Sequence, residues 1–420
     1  MATGSGMIHS EHVVVTGVGV VTSIGCTRRT FWSSLVEGVS GVRPISAFDA
    51  SGHKTRIAAE VSGFKPETWL GHKQIRRMAR VSQFAACAAV EAVRDSGLDL
   101  DREDNFRIGC VVGSAAGDYA NLEQQFLKFR EKGPGSVNPL TVPKVIPNMP
   151  ASNVAIVLGI RGPNLGVATA CATGCHAIGT ALGILRQGGA DVVLAGGAES
   201  TVTPFVLDGY SCMGVLSERN DRFEEASRPF DADRDGFVLG EGAGILVLET
   251  LEHARRRRAE ILACVAGFGM TSDAYNIAIP EPDGRAAAMA MIQAVKSAGL
   301  NLEDVGHINA HGTSTRVNDR VESNAIRLAF GEHHRSPLVT SNKSMIGHTL
   351  GAAGAIEAAA TVLTLHHGII PPTINYRTRD PECDLTVVAN EAREMRIEAA
   401  LCNSFGFGGQ NAVAVFTRSP

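Results

Sequence analysis

Gly166-Val-Ala-Thr-Ala-Cys-Ala-Thr-Gly-Cys-His-Ala-Ile-Gly-Thr-Ala-Leu-Gly-Ile-Leu185 is the stretch whose reading decides the fold. Its first part is apolar and β-prone, and its second part spaces Ile178, Ala181, Leu182 and Leu185 as one apolar helical face. Cys171 therefore falls at a strand-to-helix junction, where backbone N–H groups are unpaired and the helix dipole is positive. Such a place favours thiolate over thiol and offers donors to an oxyanion. The small neighbours Ala170, Ala172 and Gly174 leave room for an acyl group. The other reading of the window is a buried structural cysteine, the usual fate of the residue.

Outward from this stretch the chain echoes itself. Val13-Val-Val-Thr-Gly-Val-Gly-Val-Val-Thr22 runs as a strand into a glycine turn, and Ala263-Cys-Val-Ala-Gly-Phe-Gly-Met-Thr-Ser272 repeats the pattern. A helix follows each, Met78 to Ser96 and Ala286 to Ala298, stopping at Gly97 and Gly299. A buried strand comes next in each half, Arg107 to Gly113 and Val305 to Ala310. The third correspondence sets Cys171 against His348, each opening an Ala/Gly-rich helix. This is a duplicated βαβ arrangement, predicting parallel strands with helices on both faces. The halves meet near Glu260. Arg255-Arg-Arg-Arg258 just before it reads as a solvated helix end.

Two histidines give the cysteine chemical company. His311 lies in Ile308-Asn-Ala-His-Gly-Thr-Ser-Thr315, where a strand-like run ends in a hydroxylated loop. His348 lies in Asn342-Lys-Ser-Met-Ile-Gly-His-Thr-Leu-Gly-Ala-Ala-Gly354, at another turn into a helix. Either alone reads as structural. With Cys171 they make up the set that nucleophilic acyl chemistry needs.

Six motifs in order now resemble a β-ketoacyl-acyl-carrier-protein synthase of the elongating Cys-His-His kind, close to synthase II. They are Val14-Val-Thr-Gly-Val-Gly, Thr169-Ala-Cys-Ala-Thr-Gly, Arg228-Pro-Phe-Asp-Ala-Asp-Arg-Asp-Gly-Phe-Val-Leu-Gly-Glu-Gly-Ala-Gly244, His311-Gly-Thr-Ser-Thr, Lys343-Ser-Met-Ile-Gly-His and Asn403-Ser-Phe-Gly-Phe-Gly-Gly-Gln-Asn411. The resemblance implies an α/β thiolase-like fold: two duplicated βαβ halves in a five-layered α-β-α-β-α core. The halves would be residues 11–259, with the nucleophile, and 260–420, with both histidines, after a lead or tag remnant at 1–10. It implies decarboxylative Claisen condensation of malonyl-carrier with an acyl thioester on Cys171, extending the chain by two carbons.

Roles follow by the same resemblance. Cys171, His311, His348 and Lys343 are catalytic, with Glu322 and Asp319 in support and Lys343 paired to Glu322 in the interior. The N–H groups of Cys171 and Phe407 form the oxyanion hole. Phe405, Gly406, Phe407, Gly408 and Gly409, with Asp273 opposite, form gating loops. Thr313 and Thr315 hold the pantetheine arm. Lys73, Arg76, Arg77 and Arg80, at i, i+3, i+4 and i+7, make one helical face that matches where the acidic carrier protein docks. The implied partners are acyl carrier protein and a second chain, identical or a homologous chain-length factor. No cofactor is implied beyond the carrier's phosphopantetheine, and no metal.

The pattern departs from the usual one in two places. Arg316-Val-Asn-Asp319 stands where Pro-x-Gly-Asp is usual, and Gln410 where threonine is usual. The first resembles the ketosynthase subunits of type II polyketide systems, so a heterodimeric polyketide ketosynthase is the alternative reading. A thiolase would need a glycine pattern after Cys402, a priming synthase an asparagine at His348, and a chain-length factor no Cys171.

Composition narrows the field further. No run of eighteen apolar residues is present, so no membrane span is expected. Met1-Ala-Thr-Gly-Ser-Gly-Met7 has neither a basic region nor a hydrophobic core and reads as no secretory signal. Nine scattered cysteines without a Cys-x-x-Cys pair suit a reducing compartment, the cytoplasm, rather than a zinc site or disulfide framework. A net charge of −4 gives nucleic-acid binding no support.

Overall fold

The computed structural model describes residues 12–419, so the expected lead at 1–10 lies outside them. β1 (Val13–Val21) is buried along its whole length. Its valines face both ways into apolar neighbours, which explains a near-continuous hydrophobic run in place of alternation.

Five strands make up the first sheet: β1, β2 (Ile108–Gly113), β3 (Asn164–Leu165), β4 (Val192–Glu199) and β5 (Gly242–Thr250). Five more make the second: β6 (Ala263–Ser272), β7 (Val305–Asn309), β8 (Leu338–Thr340), β9 (Ala399–Gly406) and β10 (Gln410–Thr417). Their orders are β3-β2-β4-β5-β1 and β8-β7-β9-β10-β6, which is one topology used twice. A short antiparallel pairing of Val13–Val15 with 263–265 fuses the sheets edge to edge. A two-residue strand, Thr386–Val387, extends the far edge beyond β8.

The helices used below are α1 (Arg28–Val36), α2 (His72–Arg77), α3 (Arg80–Ser96), α4 (Tyr119–Lys132), α5 (Met149–Leu158), α6 (Thr173–Arg186), α7 (Arg285–Ser297), α8 (Arg316–Phe330) and α9 (Ala353–His367). α3 and α5 cover the outer face of the first sheet, while α7 covers the second and carries α8 against it. α6 and α9 lie between the sheets, touching both. The result is the five-layered thiolase-like stack. α9 is buried on every side from Ala353 to Leu365, as a helix apolar all round must be.

The duplication is as the sequence predicts, but the sheets are not all parallel. Within each, two pairings are parallel and two antiparallel. β9 and β10 show why: only three residues, 407–409, join them, and so short a link connects antiparallel neighbours alone. The helix expected from Met78 begins at Arg80. Met78 and Ala79 are extended and buried, so the chain dives into the core between α2 and α3. Nor is the Arg255–Arg258 run wholly solvated. Arg257 turns inward, its Nε donating to the buried Glu249 at 2.8 Å.

α3 lies directly on β1. A Cβ on Gly19 would sit 1.8 Å from the carbonyl oxygen of Ala88, whereas one on Gly52 would meet nothing within 4 Å. Gly19→Ala should therefore lower stability by at least ~3 kcal/mol, and Gly52→Ala should be near neutral. Thermal denaturation of the two variants checks this.

Candidate active site

Cys171 sits in a tight turn, six residues past the end of β3 and two before α6. The turn is set by Ala170, which adopts a left-handed φ of 48°, a conformation costly for a residue with a Cβ. The hydroxyl of Thr173 donates to Ala170 O at 2.7 Å and accepts the Thr169 N–H at 2.8 Å, fastening the turn. Gly174 does not make room for an acyl group as the sequence suggests. A Cβ there would lie 2.6 Å from Ala355 N, so its smallness serves the crossing of α6 and α9.

That crossing carries His348 beside Cys171. The His348 N–H donates to Val238 O at 2.7 Å and its carbonyl accepts from Gly240 at 2.9 Å, pinning the backbone. His311 leaves β7 with its N–H on Glu322 Oε1 (2.8 Å) and that of Gly312 on Oε2 (2.7 Å), while Asn403 donates to the same carboxylate at 3.2 Å. The two imidazoles meet edge to face, centroids 5.3 Å apart.

Hydrogen bonding fixes which ring nitrogens face the cavity as donors. Lys343 Nζ lies 3.4 Å from His311 Nδ1, and an ammonium can only donate, so Nδ1 is the bare nitrogen. His348 Nδ1 accepts from the Leu350 N–H at 3.3 Å. Each ring therefore carries its proton on Nε2. Burial, and then the Lys343 charge, holds both histidines well below the usual imidazole range. Two neutral N–H donors converge.

The thiol behaves differently from the sequence expectation. Burial pushes Cys171 up to about 11, against the smaller lowering effects of Lys343 and of a hydrogen bond from the Phe407 N–H. Desolvation outweighs the helix terminus here, and the resting group is a thiol. The Phe407 N–H thus lies at the sulfur.

Lys343 does not pair with Glu322. It forms an ion pair with Glu357 on α9, both side chains essentially buried. Burial, opposed by Lys343, leaves Glu357 at about 7. Glu322 is spent on backbone N–H groups, so its task is to hold the His311 turn. Asp319 does similar work, accepting from the N–H groups of Phe230 (2.8 Å) and Ser314 (3.2 Å) with Arg234 3.5 Å away. Thr313 and Thr315 line the cavity, their hydroxyls 2.9 Å apart; Thr315 also caps α8 by accepting from Asn318 N at 3.2 Å.

The cavity, about 290 Å³, is lined by Cys171, both histidines, Phe405, Phe407 and Asp273 among others. Its two walls are laced together. Asp273 N–H donates to Gly409 O (2.8 Å), Asn411 Nδ2 to Asp273 Oδ1 (2.6 Å), and Gly408 N–H to Ile277 O (2.8 Å). Of the basic residues, Lys73, Arg76 and Arg77 are exposed on α2. Arg80 does not join their face. It chelates Glu241 at 2.7 and 3.1 Å and stacks 4.6 Å over Phe84.

Sequence reasoning missed Glu357 and Glu199. Glu199, fully buried at the end of β4, accepts from Ser114 Oγ and Ala115 N (2.8 Å each) and from Gly351 N (3.2 Å), tying the His348 turn to the first sheet. The signal was there. Each is a lone acid in an otherwise small and apolar run, Ala353-Gly-Ala-Ile-Glu357 and Leu194-Ala-Gly-Gly-Ala-Glu199.

Known proteins resemble this chain in sequence and fold. Residues 10–254 fit the model of the beta-ketoacyl synthase N-terminal domain, and residues 262–377 that of its C-terminal domain. The 3-oxoacyl-[acyl-carrier-protein] synthase 2 of Vibrio cholerae is 45% identical over 97% of this chain and 99% of its own. Its namesake from Synechocystis sp. is 44% identical over 98% and 99%. Among solved structures, the ishigamide ketosynthase/chain length factor superposes with a TM-score of 0.93 at 36% identity, over 98% of this chain and 100% of that one. The AntDE:AntF complex, a type II PKS acyl-carrier protein with its ketosynthase bound to the hexaketide, gives 0.92 at 35%, with the same coverage.

The buried Lys343–Glu357 pair yields a stability test. Lys343→Met strands a carboxylate in the interior and should cost ~3–5 kcal/mol, while adding Glu357→Leu should recover most of that loss. Urea denaturation measures both. Activity should stay low in the double variant, because His311 Nδ1 has lost its donor.

Proposed function

The chain belongs to the β-ketoacyl synthase family, and from that premise we propose that Cys171 carries the acyl chain while His311 and His348 drive decarboxylation. Its reaction is that of a 3-oxoacyl-acyl-carrier-protein synthase, an acyltransferase that lengthens an acyl chain by two carbons. One observation carries the assignment of roles. Two neutral histidines offer Nε2–H donors in the same cavity as a cysteine whose sulfur meets a backbone N–H.

In the first half-reaction Cys171 sulfur displaces the pantetheine thiolate, and the thiol proton ends on the departing sulfur. The N–H groups of Cys171 and Phe407 take the charge on the acyl oxygen. In the second, malonyl thioester loses carbon dioxide. The enolate oxygen is held by the two Nε2–H groups, which as neutral donors do not protonate the carbanion as an imidazolium would. The carbanion attacks the acyl carbonyl and expels the Cys171 thiolate.

Thr313 and Thr315 hold the pantetheine arm, and Lys73, Arg76 and Arg77 receive an acidic carrier protein. The exposed edge of β3 and exposed apolar side chains of α4 and α5, Phe126, Leu127 and Ile156 among them, form the contact with a second chain. Free cysteines throughout suit the reducing cytoplasm. A second reading, a type II polyketide ketosynthase paired with a chain-length factor, draws on Arg316-Val-Asn-Asp319 at the start of α8 and on the ishigamide likeness.

Cys171→Ala should abolish acyl loading, read by intact mass, without unfolding the protein. His311→Ala or His348→Ala should slow malonyl-carrier decarboxylation ~10²–10³-fold. The wild-type decarboxylation rate should hold as pH falls through the ordinary imidazole value of about 6.5. A group held neutral below that value gains its proton only at still lower pH, so donor function survives there.

Charge reversal at Arg76 and Arg77 should raise KM for acyl-carrier substrate and spare a small acyl-pantetheine, with the effect weakening in salt. Arg80→Glu should instead destabilise the fold, because it sets two carboxylates against each other. Light scattering of the purified chain should give twice the 44.2 kDa chain mass. A monomer that condenses only after a homologous chain is added would favour the second reading.

A further inference from the structure

Far from the active site, a groove of about 910 Å³ opens between α1, the end of α3 and the end of α9. His348 sits at one end of α9 and His367 closes the other, so roughly 22 Å of helix separates the groove from the chemistry. The chain has two tryptophans, and both line it. Trp32 stacks on His367, centroids 4.9 Å apart and planes 22° from parallel, and the Arg94 guanidinium lies 5.5 Å from the centre of Trp69.

The charges around these indoles are unevenly engaged. Asp95 is held by Arg28 at 3.0 and 3.1 Å and by the Val18 N–H. Glu91 accepts from the N–H groups of Val20 and Arg28, and Glu37 from Ser33 Oγ. Arg29 and Arg94 are exposed and have no carboxylate partner among the described residues. Flat π surfaces thus lie beside two guanidinium groups free to make charge-assisted hydrogen bonds. A bare phosphate would leave the indoles idle, and an uncharged ring would leave the arginines idle.

We propose that this groove is a nucleotide-binding site, separate from the catalytic cavity, in which a base lies against Trp32 or Trp69 and a phosphate meets Arg29 and Arg94. The same chemistry is presented by a free nucleotide and by the adenosine phosphate end of coenzyme A. Occupancy would bear on the C-terminal turn of α9, the helix whose other end carries the His348 turn.

Because all tryptophan emission arises from this groove, fluorescence reports on it alone. AMP or coenzyme A should quench emission saturably, half-saturating below ~1 mM. Adenosine and inorganic phosphate should each act at least ~10-fold more weakly. Arg29→Ala/Arg94→Ala should weaken nucleotide quenching ~10-fold or more while condensation activity and melting temperature stay as in the wild type. Tighter binding of coenzyme A than of AMP would assign the site to coenzyme A, and equal binding to free nucleotide. Quenching that rises linearly without saturation, or is equal in the double variant, would overturn the proposal. Emission that responds only to protein concentration would also overturn it, since the groove would then be a contact between copies.

Discussion

The close crossing of α6 and α9 is the constraint on which the site depends. A Cβ on Gly174 would meet Ala355 N at 2.6 Å, and one on Gly354 would meet Cys175 N at 2.8 Å. With a larger residue at either position the helices would have to part. Their closeness brings the turn that bears Cys171 against the turn that bears His348. Since α6 and α9 are equivalent helices of two duplicated halves, the fold's internal symmetry delivers two like junctions to one place. One junction holds a cysteine and the other a histidine with a free Nε2–H.

Burial then sets the protonation states, and it acts with opposite consequences on the three groups. For the histidines, desolvation disfavours the cation, which suits the neutral-donor role proposed for them. For Cys171, desolvation disfavours the thiolate, so the resting sulfur keeps its proton. Lys343 links the two effects. Its charge pushes the histidines further down and the cysteine back, while Glu357 makes that charge tolerable in the interior. An unpaired ammonium here would carry a desolvation cost of several kcal/mol.

Much of this was legible in the sequence, because it resides in local periodicity and in punctuation by glycine. β6 runs over Ala263–Ser272 as read, α7 is displaced by one residue, and α3 stops at Gly97 in a left-handed cap. What misled was whatever depends on partners distant in sequence. The Lys343 partner could not be chosen between Glu322 and Glu357 from spacing, since one lies 21 residues before it and the other 14 after, and only packing decides. The basic stripe through Arg80 assumed one helix. Met78 and Ala79 break it because burying them is worth more than continuing the turn, and Arg80 leaves with them to meet Glu241. The strand directions failed for a similar reason, in that nothing in β5 or β10 announces which neighbour it will choose.

The glycine loop at 406–409 closes the site on one side. In the structure it is fastened to the opposite wall by the Asp273, Asn411 and Ile277 hydrogen bonds, and the cavity behind it is about 290 Å³. That volume is at the lower end of the ~300–1,000 Å³ that small-molecule sites span, less than a pantetheine arm with a long acyl chain would fill. The bonds that close it are few, and two of them use the backbone of Gly408 and Gly409, residues of wide conformational freedom. Phe405, just before the loop, packs against His311, ring centroids 5.9 Å apart. The dryness that keeps the donors neutral is therefore a property of the closed loop as much as of the core beneath it.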